Sequence, residues 1–410
     1  MKKFFVKILG SFILTFMVLG FAACGNGTTG TTQTPPAPDA GAQEQDDESE
    51  TTAGADWSIG IVTAAAGPND NGYNQSAVEG ARAIANEFGV TYNVVEPATG
   101  VPAAIEALAN EGFPLIFSLE FDFDALITGV GGAPPLAEQF PDTWFVIFND
   151  NPNMDENGNP IHDNVISVLF DVHEGSFLAG YLSVLVNENA EALFGTDNHN
   201  FVSPEEARAM GFIGGTESTG ITVFSYGFIE GINRAAQSLG VYYNYFSTFD
   251  AGFVDSAMGN TVAGAFFDNG ANVVFGVAGS VGDGITARAS EAGRLAIQVD
   301  ADLDNQQPGF VLTSVMKNTN VPVDAITRAF ANGTIGDMDL LQTYSLASGA
   351  TGITDLSVIS QHVQDTALWS EILNQLDAVY NDIASGVITV TDAQMGEVFD
   401  SASTPHVTLR

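Results

Sequence analysis

Between Asp70 and Gln75, six consecutive residues supply a carboxylate, a phenol ring and three side-chain amides, Asn71, Asn74 and Gln75. Such a set can accept, donate and stack, which is the chemistry of holding a small polar molecule rather than of attacking one. Two more charged groups stand at the ends of apolar runs: Asp300 closes 295–299 and Lys317 closes 311–316. Lys317 is conspicuous because the chain has four lysines and the other three are Lys2, Lys3 and Lys7. On that count alone it is either a surface remnant or a retained functional group. His173-Glu174 invites a metal or acid–base reading. At the head of an apolar helical pattern, however, Glu174 reads as a first-turn carboxylate favoured by the helix dipole. There is no clustered set of metal-site aspartates, no nucleophile with a partner and no phosphate loop, so neither a catalytic residue, a metal nor a cofactor is expected.

These residues need elements to position them, and the pattern is strand, loop, helix, repeated. Expected strands lie at 57–63, 90–95, 115–118, 144–148 and 164–170, with helices at 76–88, 101–110, within 126–140 and at 174–187. A second series follows: strands at 210–214, 241–246, 273–277, 295–299 and 311–316, with helices at 222–239, 256–269, 285–292 and 321–332. A helix at 371–385 and a short strand at 387–390 close the pattern. The Gly-rich run 278–284 matches neither GxGxxG nor a Walker A loop; its glycines let backbone approach a ligand or turn tightly. Two such series argue for an α/β chain of two doubly wound, Rossmann-like lobes with parallel sheets, and for a ligand cleft between them at strand ends.

The composition excludes one class of partner. Fifty acidic residues against 11 basic ones give a net charge of −39, which repels phosphate backbones, so no nucleic acid is expected. The N-terminus reads as a secretory leader: Lys2, Lys3 and Lys7, an uncharged apolar stretch 8–23, then Gly20-Phe21-Ala22-Ala23-Cys24. Small residues directly before the chain's one cysteine resemble a bacterial lipobox, with lipid carried on Cys24; the apolar run is short for an uncleaved membrane span. Residues 1–23 are thus read as a signal peptide and 24–55 as an acylated cysteine with a disordered tether.

Several motifs carry a family resemblance. Asp70-Asn-Gly-Tyr73-Asn74-Gln75-Ser76, with Gly80 beyond it, is similar to the first-loop motif of the basic membrane protein family, the nucleoside-binding lipoproteins of ABC transporters. His173-Glu-Gly-Ser-Phe-Leu-Ala-Gly180, Gly211-Phe-Ile-Gly-Gly215 with Phe224, Phe228 and Gly231, Val299-Asp-Ala-Asp302 and Val311-Leu-Thr-Ser-Val-Met-Lys317 also resemble that family. The resemblance covers roughly residues 57–400, through five separated motifs. It implies a type I periplasmic-binding-protein fold whose lobes are joined by three crossovers. Lobe 1 is then expected at 57–170 plus 300–335, and lobe 2 at 171–299 plus 336–410.

The resemblance also implies a ligand set: Asp70 as a first-loop carboxylate, Tyr73 in place of a stacking phenylalanine, Asn74 beside it, Phe224 as the opposing aromatic, and Asp300 with Lys317 on the ribose. Tyr226 and Phe228 rival Phe224, and Asp302 rivals Asp300. Asp70 can equally be a turn or capping residue, and Phe224 a core residue. Leu119-Glu120-Phe121 departs from the smaller, Gly-rich turn of the family. The implied function is that of a monomeric solute-binding lipoprotein at the extracytoplasmic face of the cell membrane. It would be anchored through Cys24, capture a nucleoside, purine favoured, and pass it to an ABC transporter permease. Readings from other classes are a tethered receptor or sensor for another small ligand such as a sugar, and a nucleoside-processing enzyme.

Overall fold

The computed structural model describes residues 57–410. The expected leader, the tether and Cys24 lie outside the described residues. Five strands open the fold: β1 (Ser58–Val62), β2 (Thr91–Val95), β3 (Leu115–Ser118), β4 (Trp144–Phe148) and β5 (Val165–Phe170). Five more follow: β6 (Ala209–Gly214), β7 (Tyr243–Thr248), β8 (Ala271–Val277), β9 (Leu295–Asp300) and β10 (Val311–Lys317). Three short strands complete it: β11 (Leu341–Tyr344), β12 (Thr351–Ile353) and β13 (Val407–Leu409).

They assemble into two sheets, in the order β11-β5-β4-β3-β1-β2 and β12-β10-β9-β8-β6-β7-β13. All neighbouring strands are parallel except β12, which runs antiparallel on β10. Parallel strands buried on both faces should be continuous apolar runs, and β5, β6 and β8 are buried along their full length. The order reverses between β1 and β3 in the first sheet and between β6 and β8 in the second. At such a reversal the following helices leave on opposite faces, which opens a crevice at the carboxyl ends of the strands.

The chain passes between the sheets after β5, after β10 and between β11 and β12. This corrects the expected lobe boundaries. β10, placed with the first lobe, hydrogen-bonds in the second sheet, and β11, placed with the second, pairs with β5 in the first. The following helix, Asn320–Ala331, does pack on the first-sheet helix Tyr73–Phe88: a Cβ on Gly80 would lie 2.9 Å from Asn320 Cα. The helices Val172–Glu188 and Thr219–Leu239 form the middle of the second lobe and are all but fused. A Cβ on Gly231 would come within 2.0 Å of the Phe177 carbonyl oxygen, so only glycine admits this spacing.

Two local expectations also change. The sequence pattern predicts a strand at 387–390, but none forms there: Val387 is exposed, and the free edge of β7 is taken by β13 instead. The run 278–284 is largely the start of the helix Val281–Ala292; a Cβ on Gly284 would sit 1.7 Å from the Ser256 carbonyl oxygen of the adjoining helix. No helix among the described residues is long and apolar enough to cross a membrane.

Candidate functional site: the cleft between the two sheets

A cavity of about 440 Å³ lies where the carboxyl ends of the two sheets face each other. The first sheet supplies Ala64–Ala66 after β1, Leu119–Phe121 after β3 and Asn149 after β4. The second supplies Thr216 after β6, Gly279 after β8, Asp300 at the end of β9 and Lys317 at the end of β10. Both reversal points therefore open into it, as the crevice rule requires. All six residues expected to bind ligand, Asp70, Tyr73, Asn74, Phe224, Asp300 and Lys317, line this one cavity.

Their roles differ. The helix that follows β1 begins at Tyr73, three residues earlier than the pattern predicts, so Asp70 stands just ahead of its first turn. One Asp70 oxygen accepts from the Gly72 and Gln75 amides, both at 3.0 Å; the other accepts from the Asn74 amide and the Asn74 Nδ2, both at 2.9 Å. A carboxylate offers about four acceptor positions, and here all are filled by its own loop. The capping reading of Asp70 therefore describes its hydrogen bonds. Asn74 is equally committed: its Oδ1 accepts from the Ala64 amide at 2.7 Å. Glu120 accepts from the amides of Ala65 and Phe121, which ties the loop after β3 to the loop after β1.

The Tyr73 hydroxyl does not point into solvent. It donates to the Leu119 carbonyl at 3.0 Å and accepts from Asn149 Nδ2 at 2.7 Å. Burial, with Asp300 as the next contributor, holds this phenol neutral by pushing its pKa well above the usual value. Its ring face is what remains for a ligand. Asn149 was missed as a site residue. Its Oδ1 is buried with no hydrogen-bond partner among the described residues, and it borders the cavity. The available signal was a polar residue directly after a buried strand. Asn149 and Asp300 both adopt left-handed backbone, with φ of 66° and 72°, a strained conformation that clusters at functional sites.

On the opposite wall, Phe224 is buried and meets Phe275 edge-on at 6.3 Å between centroids. Its rivals are spent elsewhere: Tyr226 stacks on Phe399 at 4.6 Å, and Phe228 is fully buried against Phe275 and Tyr245. Two further rings, Phe121 and Phe253, border the cavity and carried no periodic signal in the sequence.

Lys317 is buried, and its ammonium makes no hydrogen bond or ion pair among the described residues. It lies 5.2 Å from the centre of the Tyr73 ring, 5.5 Å from Phe170 and 5.6 Å from Phe224, within cation–π range of all three. Burial lowers its pKa to about 8, and the nearby Asp300 charge opposes that shift. Asp300 is raised to about 6, chiefly by loss of water; Lys317 pulls the value down and Asp70 pushes it up. Asp300 and Lys317 thus influence each other without forming a salt bridge. Asp302 caps its own turn through the Asp304 amide and faces a separate depression, which removes it as a rival of Asp300 in this cavity.

The chain matches the family model described as ABC transporter substrate-binding protein PnrA-like over residues 59–394. It is 28% identical to the ABC transporter nucleoside-binding protein BmpA of Lactococcus lactis subsp. cremoris, covering 82% of this chain and 89% of that one. It is 25% identical to the CD4+ T-cell-stimulating antigen of Listeria monocytogenes, covering 82% and 88%. Among solved structures it is similar to an ABC transporter solute-binding protein from Aeropyrum pernix K1, with a TM-score of 0.67 at 20% identity over 82% of this chain and 93% of that one. A periplasmic binding protein of the arabinose ABC transporter from Shewanella sp. ANA-3 superposes with a TM-score of 0.50 at 16% identity over 79% and 98%. At these identities the structural likenesses speak to fold, and the fold is the type I periplasmic-binding-protein fold. With the family model covering most of both sheets and every strand end that lines the cleft, the chain belongs to the PnrA-like family of ABC transporter substrate-binding proteins, binding proteins rather than enzymes.

Proposed function

We propose that the cleft captures a nucleoside, a purine nucleoside in preference, and that the chain delivers it to the permease of an ABC transporter. The observation that carries this reading is the unpaired Lys317 ammonium, set among aromatic faces from both sheets and beside the Asp300 carboxylate. A nucleoside presents a flat base and vicinal ribose hydroxyls. Ring faces of Tyr73 and Phe224 bury the base, at roughly 1–3 kcal/mol per stacked base. The ammonium donates to ribose oxygens and the Asp300 carboxylate accepts from ribose hydroxyls, with charge-assisted bonds stronger than neutral ones. Asn149 Oδ1 offers a further acceptor. Asp70 and Asn74 hold the wall in shape. The naming of the L. lactis relative as a nucleoside-binding protein supports the same ligand class.

A nucleotide suits the cleft less well, because a chain of net charge −39 repels phosphates. Binding from both sheets favours the closed population of a hinged pair of lobes, which gives a permease a state to read. Lipid on Cys24 would keep the protein at the extracytoplasmic face of the membrane as a monomer. Two measurements test the reading. Calorimetric titration of chain stripped of co-purified ligand, with adenosine, guanosine, inosine, cytidine and uridine, should give strong heats with purine nucleosides; silence from all five would sink it. Labelled palmitate should be incorporated by the wild-type chain in cells but not by Cys24→Ala.

A further inference from the structure

A second cluster of chemistry-bearing side chains lies outside the cleft, at the first crossover between the sheets. Asp171 follows β5 and precedes the helix Val172–Glu188, yet its carboxylate makes no capping hydrogen bond to that helix. One residue into the helix, His173 is 6% exposed, and its Nδ1 has no hydrogen-bond partner among the described residues. That nitrogen faces Asp392 Oδ1 at 3.9 Å. One potential ligand atom from each of Asp171, His173 and Asp392 lies within 4.8 Å of the other two. Buried polar atoms are nearly always satisfied, so an unpartnered imidazole nitrogen beside one carboxylate and grouped with a second calls for an occupant.

The surroundings point to a cation. Glu174 Oε2 accepts from the Leu346 amide, Glu230 Oε2 from the Thr391 amide and Glu397 Oε2 from the Asp392 amide, which places three more carboxylates on the segments that meet here. None of these five acidic residues is paired with a lysine or arginine among the described residues. We propose that Asp171, His173 and Asp392 form a site for one divalent transition-metal ion of the zinc type, which staples the first crossover to the segment around Asp392. One imidazole nitrogen with two carboxylate oxygens suits zinc better than magnesium or calcium, which take oxygen alone; water completes the coordination.

The site's place gives it a consequence. The Asp171 amide donates to the Tyr344 carbonyl at the neighbouring crossover. The segment around Asp392 touches both sheets' elements, through Gln394 Nε2 on the Asn149 carbonyl and through Thr391 on Glu230. A metal here therefore ties two crossover strands to a segment that reaches the cleft wall.

The test uses the full chain after chelation, titrated with zinc chloride in a calorimeter and followed with cobalt(II) by visible absorption. Wild type should take up one zinc per chain that a matching concentration of magnesium does not displace, and its melting temperature should rise on loading. Asp392→Asn, at a partly exposed position, should weaken that binding by about tenfold or more and abolish the rise. His173→Gln should do the same and remove the cobalt signature of a nitrogen ligand. If the buried His173 variant fails to fold, Asp392→Asn decides alone. Absence of a stoichiometric zinc site in wild type, or zinc binding unchanged in Asp392→Asn, overturns the proposal and assigns the uptake to the acidic surface.

Discussion

The two walls of the cleft are built from similar residue types and spend them differently. On the first-sheet wall, Asp70, Asn74, Glu120 and the Tyr73 hydroxyl all bond to the loops of that same wall, so these polar groups are scaffold and the Tyr73 ring is what faces outward. On the second-sheet wall, the Lys317 ammonium has no hydrogen-bond or ion-pair partner among the described residues and Asp300 has shed water without gaining a salt bridge. A polar group that is already satisfied contributes shape. One left unsatisfied in a dry place has free energy to release on binding, because the desolvation cost has been met before the ligand arrives.

The comparison breaks most readily at Lys317. Removing it with Lys317→Met should weaken nucleoside binding by roughly 10- to 100-fold, the scale of one or two charged hydrogen bonds. The stripped protein should melt at or above the wild-type temperature at pH 7, since a buried unpaired charge is lost. A parallel fall in melting temperature would make Lys317 structural. Asp70→Asn should show the opposite pattern. It leaves amide donors at the head of the helix without their carboxylate, costing roughly 1–3 kcal/mol of stability, while affinity measured on the folded fraction changes by about threefold or less. Thermal melts and titrations on the same samples separate the two.

Tyr73→Phe sharpens the point within a single residue. The ring stays and the bonds to Leu119 and Asn149 go, so roughly 1 kcal/mol of stability is lost and purine affinity is nearly kept. The smallest effect expected is on pH dependence. Asp300 has a raised folded pKa, so its stabilising share is full below the unfolded carboxylate range and is lost as pH rises through about 6. Lys317 has a lowered folded pKa, so its share is full above the unfolded lysine value and is lost as pH falls through about 8. The stripped protein should therefore be least stabilised by this pair between those values. Asp300→Asn should flatten the acid side of a melting-temperature profile and Lys317→Met the alkaline side; unchanged profiles would mean the two groups are already solvated.

Much of this was legible in the sequence because strand ends are. Apolar runs closed by Asp300 and Lys317 identified β9 and β10, and their parallel register sets Met316 beside Asp300. The alternation of strand and helix gave the two sheets and listed 311–316 in the second series; the lobe bounds expected with the resemblance moved β10 to the first, since sheet membership is a long-range pairing with no local pattern. The capping state of Asp70 depended on the helix starting at Tyr73 rather than at Ser76, a shift too small for periodicity to resolve. Phe121, Phe253 and Asn149 stand on loops, where no period marks which way a side chain faces. The grouping of His173 with Asp392 joins residues far apart in the chain, which no local spacing in the sequence could bring together.

The most direct test of the difference between the walls is a crystal structure of the chain with a bound purine nucleoside. The account predicts the base between the Tyr73 and Phe224 rings, and Lys317 Nζ within hydrogen-bond distance of ribose oxygens. The Asp70 oxygens should still accept from Gly72, Asn74 and Gln75. A ligand hydroxyl on Asp70, with Lys317 making no polar contact to the ligand, would contradict it.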